Sequence, residues 1–88
     1  MDLVEAVMLI EEIFETEVPD GDAETLSGPR EMVDWLELHL SSQRPSKGAA
    51  ALLETLAKDH NNPELAEGLE RTWRREQFTA IVREMFRQ

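Results

Sequence analysis

Apolar residues recur at helical spacing along the chain, and no stretch alternates as a β-strand would. Residues 3–15 are apolar around most of the circumference of a helix, and only a stripe of glutamates is clearly polar. Residues 29–41 carry a narrower apolar face, and Ala49 to Leu56 carry a third. Because residues three and four apart share one face of an α-helix, the pattern predicts an all-α protein.

Helix-breaking residues predict where these helices begin and end. Pro19 to Gly21 end the first helix, and the acidic residues after them can form one turn. Asn62 as N-cap and Pro63 at the first helical position predict a last helix that continues to Phe86. Such a helix has about 25 residues and reaches roughly 38 Å, which is longer than a compact domain of this size is wide.

The linker-like stretch "SSQRPS" divides the chain near its middle. We therefore expect one unit at residues 1–42, a linker at 43–47 and a helical hairpin at 48–88. The hairpin would pack on the first unit or be exchanged with that of a second chain.

Acidic residues are concentrated in the first half of the chain. Residues 1–40 hold twelve acidic residues against the single base Arg30, whereas residues 41–88 hold eight bases and seven acids. A surface of this charge repels nucleic acid and anionic membrane and favours basic protein partners, although it can also be ordinary solvated surface. No apolar run approaches the length of a membrane span, so the sequence predicts a cytoplasmic protein.

Residues that carry chemistry are scarce. His39 and His60 have no partner at the spacing of metal ligands or a catalytic triad, and cysteine is absent. The segment "DGDAETLSGPRE" places acids at several positions of a calcium-loop count, but Thr25 stands where the sharp turn needs glycine. The sequence therefore predicts neither an enzyme nor a metal site.

The first 36 residues resemble the acyl carrier protein family, without a gap. Met1 and Asp2 match the two residues that follow the family's modified serine, and "VEAVMLIEEIF" matches its second helix. "TEVPD" matches the turn after that helix, and "AETLSGPREMVDWL" matches the third and fourth helices. The resemblance implies an acyl-carrier-like helical bundle that lacks its first helix and carries an added C-terminal helical hairpin.

In that family the modified serine carries 4′-phosphopantetheine, and here it would directly precede Met1. None of the chain's own serines has the required Asp-Ser context, so we expect no cofactor on this chain; these serines are Ser27, Ser41, Ser42 and Ser46. A gene start misplaced to an internal Met would explain the pattern, and we favour it. A natural pseudo-carrier that kept the docking face and lost the chemistry is the alternative.

The resemblance also implies site residues. Glu5, Glu11 and Glu12 match the helix by which the family recognises its partner enzymes. Four residues match the lining of the family's acyl pocket, although for any one of them ordinary core is the more common role: Val7, Met8, Leu26 and Trp35.

We therefore expect a protein that presents or recognises acyl-phosphopantetheine intermediates in fatty acid or polyketide-type metabolism. Its partners would be basic surfaces of acyl-processing enzymes. Because apolar faces of helix 3–15 need cover and the last helix would project, we also expect a homodimer through the C-terminal hairpin. The alternative function is a non-carrier helical module for protein–protein interaction.

Overall fold

A computed structural model of the chain describes residues 2–87, which form α-helices, one 3-10 turn and no β-strand. The all-α prediction is confirmed for these residues. The α-helices are α1 (Leu3–Phe14), α2 (Asp20–Ala23), α3 (Pro29–Leu40), α4 (Lys47–Asp59) and α5 (Arg75–Phe86). The 3-10 turn covers Pro63–Ala66, between α4 and α5.

Hydrogen bonds from side chain and backbone fix both ends of α1. The carboxylate of Asp2 accepts a hydrogen bond from the N–H of Val4 at 3.3 Å and caps the first turn. At the other end Glu15 adopts a left-handed conformation, with φ of 50°, and the N–H of Thr16 donates to the carbonyl of Glu11 at 3.1 Å. This arrangement ends the helix as a glycine would, so the chain turns here before it reaches Pro19.

Ser46 joins the linker to the end of α1. Its hydroxyl accepts a hydrogen bond from the N–H of Ala49 at 3.2 Å and so caps α4. The same hydroxyl donates to the carbonyl of Ile13 at 3.3 Å. The start of α4 is therefore held against the last turn of α1, and α4 begins at Lys47, inside the predicted linker.

The predicted long C-terminal helix is wrong. The chain forms only the short 3-10 turn after Asn62, whose side chain makes no capping hydrogen bond, and then runs without helix until Arg75. Gly68 has φ of 66° within this segment, and the N–H of Trp73 donates to the carbonyl of Gln43 at 2.9 Å. A left-handed residue and a tether to the linker both interrupt a continuous helix.

The C-terminal helices pack against the first half of the same chain. Helix α4 contacts α1, and α5 contacts both α3 and α4. The described residues span 35 × 28 × 18 Å, so the last helix does not project as predicted. This removes the geometric reason for a dimer with exchanged hairpins, and the homodimer itself stays a prediction.

An aromatic cluster joins the two halves of the chain at the centre of the core. The rings of Trp73 and Phe78 stack with centroids 4.7 Å apart, and Phe14 at the end of α1 lies 5.1 Å from Trp73 and 5.8 Å from Phe78. All three side chains are buried. Aromatic contacts at these distances add to the free energy gained from burial alone.

Candidate functional site

A groove of about 520 Å³ lies between α1 and the segment that contains α2. Its lining is mainly apolar and comes from both elements, with Leu3, Val4, Val7 and Met8 on the α1 side and Val18, Ala23 and Leu26 on the other. We call this the α1–α2 groove. Its volume lies within the range of sites for small apolar ligands, of about 300–1,000 Å³.

Three of the four predicted acyl-pocket residues line this groove. Leu26 is buried at its floor, Val7 is half-buried, and Met8 is 62% exposed at its edge. Val4 and Leu3, which sequence reasoning did not select, extend the apolar surface and are 65% and 41% exposed. In the sequence, the only sign of a binding role for these two residues is the excess of apolar residues on the first helix.

Trp35, the fourth predicted pocket residue, is not among the residues that line the groove. Its ring is buried, its Nε1 donates to the carboxylate of Asp22 at 3.0 Å, and it stacks on the ring of His39 with centroids 4.2 Å apart. These contacts fix α2 to α3. Trp35 thus holds α2, whose Asp20 and Ala23 line the groove, against α3.

His39 completes this small polar cluster, which the sequence did not reveal. Its Nδ1 lies 2.9 Å from the carbonyl oxygen of Trp35, and its Nε2 lies 4.0 Å from the carboxylate of Asp22. Asp22 and His39 are seventeen positions apart on different helices. Because no local spacing links residues on separate helices, sequence reasoning had no signal for this contact.

The three predicted recognition glutamates have different surroundings. Glu5 and Glu12 are exposed on α1, whereas Glu11 is half-buried and accepts a hydrogen bond from the N–H of Val18 at 3.0 Å. Glu11 therefore also stabilises the turn after α1. Only Glu5 and Glu12 can be changed without disturbing that turn.

Every charged residue that lines the α1–α2 groove is acidic. Glu11, Asp20 and Glu24 are at its rim, and among residues 2–87 no lysine or arginine lines it. An apolar floor with a carboxylate rim suits an apolar chain carried by a partner whose own surface is basic. The arrangement offers apolar binding surface and charge steering.

Metal chemistry has no support within residues 2–87, where histidine and acidic side chains form no group of three that could hold an ion. Over the same residues, each helix is too short or too polar to cross a bilayer. No protein-family model matches the sequence. No solved structure matches the chain.

Proposed function

We propose that the protein is an acyl-carrier-like module that presents or recognises acyl-phosphopantetheine intermediates of fatty acid or polyketide-type metabolism. The proposal starts from the resemblance of residues 1–36 to that family. The observation that supports it most is the α1–α2 groove, where Val7, Met8 and Leu26 line one apolar surface.

The outward face of α1 would contact the partner enzymes. Glu5 and Glu12 lie exposed on this helix, and no basic residue lies between Leu3 and Phe14. Opposite charge on a partner accelerates association and fixes its orientation. The proposed partners are basic surfaces of acyl-processing enzymes, and 4′-phosphopantetheine would be bound through a serine in front of Met1.

Modification by a phosphopantetheinyl transferase with coenzyme A tests the carrier role. The 88-residue chain should stay unmodified, because none of its serines follows an aspartate. A chain with Asp-Ser added directly before Met1 should gain the mass of the phosphopantetheine arm in intact-protein mass spectrometry. Modification of the 88-residue chain, or none of the extended chain, would contradict the proposal.

Charge reversal tests the docking face separately. Changing Glu5 and Glu12 to Lys should slow association with the transferase and flatten the salt dependence of its rate, with helicity unchanged. The matched control changes Glu54 and Asp59 of α4 to Lys, since both are exposed and give the same net charge. Equal effects of the two pairs would assign the glutamates to ordinary surface.

The second candidate is a non-carrier interaction module, and the exposure of Leu3, Val4 and Met8 favours it. Exposed apolar residues grouped on one helix are typical of a protein contact. This candidate predicts that Met8→Gln weakens partner binding while the extended chain is never modified. The mass of the extended chain therefore distinguishes the two candidates, because only the carrier gains the phosphopantetheine arm.

A further inference from the structure

A second groove, of about 840 Å³, runs along the outer side of α5. It is lined by residues of α5 and by Arg87 directly after it, and the twelve steps from Arg75 to Arg87 span about 18 Å. Leu65 of the 3-10 turn contributes apolar surface opposite Ala80 and Phe86. We call this the α5 groove, and its length suits a helix of three turns.

Within residues 2–87, Arg83 is the arginine of the α5 groove that pairs with no carboxylate and so can contact a ligand. Arg75 donates to the carboxylates of Asp34 and Glu37, at 2.9 and 3.2 Å, and the hydrogen bond to Asp34 raises the pKa of its guanidinium. Among residues 2–87, no carboxylate lies within 4.0 Å of the Arg83 guanidinium.

The other charged residues that line the α5 groove each have an ion-pair partner. Glu84 lies 3.2 Å from Arg87 and 3.8 Å from His60, and Glu76 lies 3.3 Å from Arg74. Within the described residues, the groove therefore presents apolar surface beside one positive charge without a carboxylate partner, so it suits an apolar helix face that carries carboxylates.

The outward face of α1 has the complementary properties. It exposes Val4 and Met8, one helical turn apart, beside Glu5 and Glu12, and it carries no base. Helix α1 has twelve residues and is about 18 Å long, as is the α5 groove. Within one molecule α1 packs on α4 by its other face, so only a second molecule can bring this face to the α5 groove.

We propose that the α5 groove binds the outward face of α1 from a second copy of this chain. Two copies that insert α1 into each other's α5 groove form a two-fold dimer with two identical contacts. The proposal does not rest on the carrier function. If the protein is a carrier, dimerisation would regulate it, because the dimer covers the glutamates and apolar residues that a partner enzyme would need.

Sedimentation velocity over a range of concentrations tests the dimer. Met8→Gln and Arg83→Glu should each raise the dimer dissociation constant by about tenfold or more, as loss of a central contact does. The matched controls are Leu38→Gln, since Leu38 is 79% exposed on α3, and Arg71→Glu, which gives the same net charge. Circular dichroism confirms that all four variants, which change exposed residues, remain folded.

Mixing the two variants identifies the surfaces that meet. An equimolar mixture of the Met8→Gln and Arg83→Glu chains retains one intact contact, between α1 of the latter and the groove of the former. The other contact of this mixed dimer carries both substitutions, but a contact that one substitution has already disrupted loses little more from the second, so the mixture should dimerise more tightly than either variant alone. A wild-type monomer at every concentration, equal effects of the controls, or no gain on mixing would overturn the proposal. Modification of the extended chain would be unaffected, so this failure is distinguishable from failure of the carrier function.

Discussion

Helices α1 and α5 have the same length, but the more apolar helix, α1, buries fewer of its residues than α5 does. Helix α1, "LVEAVMLIEEIF", is apolar at most positions, yet its buried residues are only Ala6, Ile10 and Phe14. Helix α5, "REQFTAIVREMF", is more polar, yet it buries Phe78 and four others, namely Gln77, Ile81, Val82 and Met85. Apolar content alone therefore does not decide which helix lies deeper in the core.

The neighbours of each helix explain the difference. Helix α5 lies against α3, α4 and the 3-10 turn, whereas α1 packs chiefly on α4. Even a polar residue is buried on α5, because the amide of Gln77 hydrogen-bonds the backbone of Arg74 and Leu65. The apolar residues left exposed on α1 are thus surplus to folding, which is why both proposals assign them to binding.

The largest effect is expected where the two helices meet. Phe78→Ala should lower the free energy of unfolding by about 3–5 kcal/mol, because it empties a fully buried site between Phe14 and Trp73. Urea unfolding followed by circular dichroism and tryptophan fluorescence measures this loss. The control Leu38→Ala should change little, since Leu38 is exposed. If α1 unfolded in a separate transition, the two helices would not share one core, and the comparison between them would fail.

A smaller loss is expected from the buried amide of α5. Gln77→Leu keeps the volume but leaves the N–H of Arg74 and the carbonyl of Leu65 without this partner, at about 1–3 kcal/mol. The same substitution at exposed Gln43 is the control and should stay within about 0.5 kcal/mol. Denaturant midpoints give both values. Equal results would mean that the polar contact does not hold α5 in place.

Two glycine substitutions should have different effects. Gly68→Ala forces a left-handed φ of 66° on a residue with a side chain and should destabilise the protein by about 1 kcal/mol. Gly48→Ala, in the first turn of α4 with open space around it, should be neutral or slightly stabilising. Thermal unfolding distinguishes them. A stabilising Gly68→Ala would mean that the segment between α4 and α5 is helical after all.

The smallest effect is expected on the outward face of α1. Val4→Thr and Met8→Gln should each change the free energy of unfolding of the monomer by less than about 0.5 kcal/mol, because both side chains are mainly exposed. Chemical denaturation at low protein concentration measures this. A loss of several kcal/mol at either position would show that the protein depends on these residues to fold. It would argue against a binding role for them.

The sequence predicted the first three long helices closely, since each has its own start and stop residues. Pro29 begins α3 as predicted, and α1 ends one residue before the predicted limit, at Phe14. The failure lies between Pro63 and Arg75, where apolar residues continue the helical spacing. Leu69 and Trp73 fit a helix, but Trp73 is instead held by Phe78 and the carbonyl of Gln43.

For the candidate site, the sequence alone selected Val7, Met8 and Leu26 through their positions in a family pattern. It also determined the all-α class and the acidic first half, because helical periodicity and charge are properties of neighbouring residues. Only the tertiary structure decided that Trp35 binds Asp22 instead of lining the groove, that Glu11 stabilises a turn, and that the α5 groove exists. Each depends on contacts between residues that do not share a helix, and the free energy of such contacts is set by packing rather than by local spacing.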